Sequence, residues 1–223
     1  MITARERYEQ LATGRREFLD KAVECSELTL PYLIQDDLSS RPNHESLKVP
    51  WQSIGSKCVV TLAAKLMLAI LPPQTSFFKL QLREDKLGEE FTPQVKGELD
   101  LSFSKMERMI MEYIAASNDR VTIHQALKHL IVGGNALIFM GKDGLKNYPL
   151  SRYVVSRDGN GNVIEIVTKE LINRKVMEID IPDPLPNTGI DETKSTDKDD
   201  IEVYTCVKLI DGRWVWYQEA FDK

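Results

Sequence analysis

The chain has 223 residues, enough for one large domain or two small ones around a core that needs no cross-links. Hydrophobic residues make up 42% and charged residues 28%, close to the averages of soluble globular proteins, which argues against disordered, collagen-like and membrane classes. The formal net charge of −5 lacks the basic footprint of a protein that grips nucleic-acid phosphates tightly.

The N-terminus is charged and carries no apolar h-region, so no signal peptide is expected and folding in a cytoplasm follows. From Ala4 to about Thr29, the residues Tyr8, Leu11, Phe18, Ala22 and Cys25 recur at helical steps, predicting one helix with one apolar face. Pro31 closes it, and Gln35 to Val49 reads as a polar loop. A second helix is expected from about Trp51 to Leu71, between Pro50 and Pro72-Pro73. It is apolar nearly all round from Cys58 onward, the pattern of a central core helix. Lys65 interrupts that run, which is too short to span a membrane.

Phe77 to Arg83 alternates apolar and polar residues, as a half-buried strand does. Thr92 then Pro93 fits an N-cap followed by proline at the first helical position, and Phe103, Met106, Ile110 and Tyr113 continue at helical spacing across Gly97. Thr122 and Gln125 form a candidate capping box. The helix it would open carries Ile123, Leu127, Leu130 and Ile131 as an apolar stripe and ends at Gly133-Gly134.

After Asn135 the pattern becomes extended, beginning with Ala136 to Met140. Tyr153 to Val155 and Val163 to Val167 flank the turn Asp158-Gly-Asn-Gly-Asn162, which predicts a hairpin. A second hairpin pairs Ile201 to Ile210 with Arg213 to Tyr217 across Asp211-Gly212. Pro182 to Asp200, poor in apolar residues, reads as a mobile linker. Helices first and hairpins after give an α+β class, without an internal repeat.

No constellation for chemistry emerges from the residues. Cys25, Cys58 and Cys206 are odd in number and widely spaced, suggesting neither a disulfide framework nor a zinc site. Gly141-Lys142 lacks the earlier glycine and the following hydroxyl of a P-loop. Asp191, Thr193, Ser195, Asp197, Asp199 and Glu202 fall on calcium-loop spacing, but Thr196 occupies the place of the required glycine, so a solvated linker is the better reading. Asp158, Asn160 and Asn162 imitate the start of such a loop and are better read as a hairpin turn. His124 and His129, five apart on a helix, point to different sides. Arg120, Lys128 and Lys142 read as solvated cations rather than phosphate ligands. Trp51, Trp214, Trp216, Phe77 and Phe78 read as core or subunit-interface aromatics, with Trp214 and Trp216 on one sheet face.

Three stretches carry a resemblance. They are Arg7-Tyr-Glu-Gln-Leu11 with Ala22-Val-Glu-Cys-Ser-Glu-Leu-Thr-Leu-Pro31; Pro50-Trp-Gln-Ser-Ile-Gly55 with Leu62 to Thr75; and Met106-Glu-Arg-Met-Ile-Met-Glu-Tyr113 through Arg120-Val-Thr122 to Gly134-Asn-Ala-Leu137. Together with Tyr153 to Val163 and Ile201 to Thr205, these resemble, in order and over nearly the whole chain, the portal proteins of short-tailed bacteriophages, the podovirus head-to-tail connectors.

The resemblance implies a structural subunit of a ring, generally dodecameric, at one capsid vertex, through which DNA is packaged and later ejected. It implies terminase, capsid, scaffolding and tail adaptor proteins as partners, double-stranded DNA passing without sequence-specific binding, and no catalytic, cofactor or metal residues. The location implied is the virion head-tail vertex, with the host cytoplasm during assembly. Residues 1–223 would form a single wing-like body, mainly helical over 1–134 and mainly β-hairpins over 135–223, with the family's stem, clip and crown absent from this chain. The alternatives are a phage metal-dependent nuclease using the acidic residues of Asp191 to Asp200, or a host-directed binding module.

Overall fold

A computed structural model describes residues 2–35, 49–73, 75–81, 93–142, 144–173 and 200–222. Of the expected loop over 35–49 and the linker over 182–200, residues 36–48 and 182–199 lie outside them, and Asp200 belongs to a strand instead. Among the described residues, five α-helices precede six antiparallel strands, the α+β order expected: α1 (Ala4–Gly14), α2 (Arg16–Leu28), α3 (Ile54–Ile70), α4 (Pro93–Ala116), α5 (Asp119–Gly133), β1 (Leu137–Gly141), β2 (Gly144–Tyr148), β3 (Tyr153–Arg157), β4 (Val163–Asn173), β5 (Asp200–Ile210) and β6 (Arg213–Asp222).

The N-terminal segment is two helices rather than one. Thr3 opens α1 with a reciprocal cap: its hydroxyl accepts from the Glu6 N–H at 3.2 Å, and the Glu6 carboxylate accepts from the Thr3 N–H at 3.0 Å. At Arg15 the backbone leaves helical geometry, with φ −105° and ψ 8°. The Arg15 guanidinium donates to the Leu150 carbonyl at 2.8 Å and lies 5.8 Å from the Tyr153 ring centroid. The break resets the helical register, so α2 buries Leu19, Ala22 and Ser26 while Phe18 and Cys25 face solvent. The Ser26 hydroxyl donates to the Leu30 carbonyl and accepts from the Ile34 N–H, fixing the turn that follows.

Helix α3 starts three residues later than Trp51, which is fully exposed, and it is not a core helix on all sides. Ala63 and Met67 are buried with Leu71 and with Leu127 of α5, and Val59 with Leu19, Ala22 and Ile34, while Ile54, Leu62 and Leu68 are exposed. The apolar residues are there, but among the described residues the α5 side and the end of α2 cover only part of them. Arg120 donates to the Leu71 carbonyl at 2.7 Å, tying the end of α3 to α5. Residues 77–81 form no strand; the Leu80 N–H donates instead to the Glu107 carboxylate of α4 at 2.6 Å.

Helix α4 begins at Pro93, as expected, and runs through Gly97 without a break. Its half-buried line is Leu99, Phe103, Glu107, Met111 and Ile114, so of the expected stripe Met106, Ile110 and Tyr113 lie exposed. Helix α5 starts at Asp119, one turn before the expected capping box. Asn118 is the N-cap residue, so Thr122 already lies inside the helix, where its hydroxyl donates back to the Asn118 carbonyl. Leu127 is buried, whereas Leu130 of the same expected stripe is exposed. Gly134, at φ 67°, ends the helix as the left-handed cap the sequence indicated.

The strands form a two-stranded sheet, β1-β2, and a four-stranded sheet in the order β3-β4-β5-β6. Strand β1 coincides with the extended run after Asn135; its partner β2 was not foreseen. Gly144, at φ 114°, makes that tight return possible, and its neighbour Leu145 donates its N–H to Asp119 at 2.8 Å. Both expected hairpins form, and β6 continues to Asp222. Asp211 and Gly212 both have positive φ, at 49° and 75°, as a type I′ turn requires.

One sheet face receives α1: Ala4 and Tyr8 pack on Val154, Val167, Tyr204 and Cys206. On the other face, at the β3 end, Tyr153 and Val155 join Leu19, Ala22, Ile34 and Leu150 in the largest core cluster.

Candidate functional site

The α1-facing side of the sheet carries the densest polar arrangement. Lys169 of β4 stands opposite Tyr204 of β5, and its ammonium lies 2.7 Å from Glu202; the Tyr204 hydroxyl donates to the other Glu202 oxygen at 2.8 Å. Burial alone raises the Glu202 pKa, but the hydrogen bonds from Lys169 and Tyr204 and the Lys169 charge outweigh it and hold the group below its ordinary value. For Tyr204, burial acts first and the Glu202 carboxylate second, and both push its pKa up. Beside this trio, Arg7 of α1 pairs with Glu165 at 2.8 Å and the Ala4 N–H donates to Glu219 at 2.6 Å. The Tyr8 hydroxyl donates to the Ser151 carbonyl at 2.7 Å. The bonds of Arg7, Ala4 and Tyr8 lock α1 onto the sheet, while Lys169, Glu202 and Tyr204 pair with one another within it. Parity along β5, where Glu202, Tyr204 and Cys206 share one face, was the available signal; the partners required the register.

The residues weighed in the sequence do not converge. The Asp158 carboxylate accepts from the backbone of Asn160 and Asn162 and from the Asn162 side chain, and these bonds hold its pKa below the usual range. It is a turn anchor. His129 is buried, its Nδ1 without a hydrogen-bond partner, and burial lowers its pKa; burial and the Lys128 charge lower that of His124. Arg120 serves the end of α3, as described. Asp191, Thr193, Ser195, Asp197 and Asp199 lie outside the described residues. Among the described residues no group of three or more His, Cys, Asp or Glu side chains could hold a metal ion, and no helix is long and apolar enough to cross a membrane.

The described surface is distinctive for its apolar parts. Trp214 and Trp216 do share a face, opposite that of α1, where they stand across from Leu209 and Val207. They are 54% and 67% exposed, so the core reading of these tryptophans does not hold within this chain. The exposed sides of α3 and α4 add Leu62, Leu68, Met106 and Met109. Exposed apolar residues gathered on one element mark surfaces fit for contact with a partner.

Residues 2–214 match the family model described as bacteriophage head to tail connecting protein. The chain belongs to that family. Among head-to-tail connectors its relatives include the portal protein of Enterobacteria phage T3, 34% identical over 98% of this chain and 41% of the relative. The portal protein of Escherichia phage T7 is 33% identical over 97% and 41%, and that of Enterobacteria phage SP6 is 29% identical over 96% and 41%. The chain thus spans about two-fifths of the length of these curated relatives. The resemblance read from Arg7, Pro50, Met106 and their surroundings is that of this connector family.

Proposed function

We propose that this chain is the wing-like body of a portal subunit, a structural part of a homo-oligomeric, generally dodecameric ring at the head-tail vertex of a short-tailed phage. The ring would be the conduit through which a terminase packages double-stranded DNA and from which the tail ejects it, with capsid, scaffolding and tail adaptor proteins as neighbours. Assembly would take place in the host cytoplasm. The observation that carries this reading is the collinear match over residues 2–214 to the connector family, with portal proteins about one-third identical over nearly all of the chain.

The physics supports it in two ways. A conduit must let DNA slide, and a chain of net charge −5 makes few of the phosphate contacts that would hold DNA in place. A subunit of an assembly exposes apolar surface as a monomer, which α3, α4 and the Trp214–Trp216 strand do. The role needs no turnover; Glu165, Glu219 and the Ser151 carbonyl serve to fix α1. Negative-stain electron microscopy of the full-length gene product tests the reading. Rings with a channel wide enough for a DNA duplex are expected, and uniform monomers would overturn it.

A further inference from the structure

The turn that joins β3 to β4 holds a chemically reactive pair, Asn160-Gly161. Asn160 is the only asparagine of the sequence that is followed by glycine. Residues 157–162 are all exposed, and nothing lies within 4 Å of the place a side chain on Gly161 would take. Gly161 stands at φ 85°, a conformation glycine adopts without strain. The neighbouring Asn162 differs on both counts: Val163 follows it, and its side chain donates to the Asp158 carboxylate at 2.9 Å. Among the described residues no hydrogen bond holds the Asn160 side chain.

We propose that Asn160 is a site of spontaneous deamidation and that Asp158 holds the reaction back. Once a solvent base has taken its proton, the main-chain nitrogen of Gly161 attacks Cγ of Asn160. The N–Cγ bond forms, the Cγ–Nδ2 bond breaks, and ammonia leaves with a proton returned by solvent. Water then opens the resulting succinimide at either carbonyl, leaving aspartate or isoaspartate at position 160. No electrons are transferred, and water is the only co-reactant. Glycine favours the step because no Cβ obstructs its nitrogen, whereas the branched Val163 crowds the nitrogen that Asn162 would need.

The folded turn opposes the attack. The Gly161 N–H, whose nitrogen is the nucleophile, donates to the Asp158 carbonyl at 3.0 Å. The Asp158 carboxylate accepts from the Asn160 N–H at 2.9 Å and from the Asn162 N–H at 2.7 Å. Ring closure requires the Asn160 main chain to rotate out of this arrangement. Because the bonds stand in water, each is worth little, and together they slow the reaction without stopping it. The product alters the turn irreversibly: a second carboxylate arrives beside Asp158, and the isoaspartate form adds a carbon to the main chain where the bonds fit the shorter path.

The test incubates the folded full-length gene product at mildly alkaline pH, where more of the amide is deprotonated, in water enriched in heavy oxygen. Trypsin, cutting after Arg157 and Lys169, releases residues 158–169, and fragmentation mass spectrometry locates the change. Exchange of NH2 for OH at position 160, carrying heavy oxygen, is expected, with Asn162 unchanged. Asp158→Ala should accelerate the exchange about threefold to tenfold in the folded protein, the factor that one or two exposed hydrogen bonds are worth, and should leave the rate in urea unchanged. Asn162→Ala, which removes one bond to Asp158, should act in the same direction. Folded protein unmodified at position 160 while the chain in urea converts fully would overturn the site. Equal rates for folded wild type and Asp158→Ala would overturn the role of Asp158, and modification of Asn162 as fast as Asn160 would overturn the selectivity on which both rest.

Discussion

Leu127→Ala is the sharpest probe of how α3 is held. Leu127 is buried with Ala63, Met67 and Leu71, the cluster through which α3 rests on α5. The truncation removes three carbons from that site, about 2.4 kcal/mol at about 0.8 kcal/mol per buried methylene. The cavity left behind adds to this, because the neighbouring Ala63 is too small to fill it. A loss of about 2.5–4 kcal/mol is expected. Urea unfolding followed by circular dichroism reads it as a lower midpoint at constant slope. Leu130→Ala is the control: Leu130 is exposed, so its loss should be under about 1 kcal/mol. Equal effects at the two positions, or an unchanged midpoint for Leu127→Ala, would show that this side of α5 does not carry α3.

Gly144→Ala should destabilise by roughly 1–3 kcal/mol in the same assay, since the residue sits at φ 114° and an added Cβ would lie 2.9 Å from the Asp119 carboxylate that orders the turn. Glu202→Gln should cost about 3 kcal/mol at pH 7 by leaving the Lys169 ammonium with a neutral partner in a largely buried place. Because the folded pKa of Glu202 lies below the ordinary 4.5, the native advantage is complete above about pH 4.5 and fades as pH falls through the folded value; urea midpoints at pH 7 and pH 3 test this. Native thiol labelling should modify the exposed Cys25 and Cys58 quickly and Cys206 only on unfolding. Cys206 is buried, and burial raises its pKa; equal rates at all three would contradict its place under α1.

Local chemistry was legible where local chemistry decides. Asp211-Gly212 and the Asp158 to Asn162 turn fixed two hairpins because positive φ and Asx hydrogen bonding are properties of those residues themselves. Gly134 ended α5 for the same reason. What failed depended on distant partners. The break at Arg15 answers to Leu150 and Tyr153, well over a hundred residues away in the chain, and no periodicity within the first thirty residues records that. Apolar spacing in α3 and α4 correctly announced helices, yet spacing says that a face avoids water without saying what covers it; thus Met106, Ile110 and Tyr113 lie open. In the candidate site, strand parity put Trp214 with Trp216, but their exposure follows from α1 having taken the other face of the sheet. The Lys169–Glu202–Tyr204 trio became visible only with the register of β4 on β5.

The hydrogen bond from the Ala4 N–H to Glu219 spans 215 positions of the chain and so orders events in time. At ribosomal rates of about 5–20 residues per second, α1 waits roughly 10–40 s after its own synthesis before its docking surface is complete. Tyr8 meets its neighbours on β3, β4 and β5 sooner, but the Ala4 anchor has to wait for β6. The last bond that seats the first helix is therefore made late, and a chain released or cleaved before β6 is made lacks the Glu219 anchor for that helix.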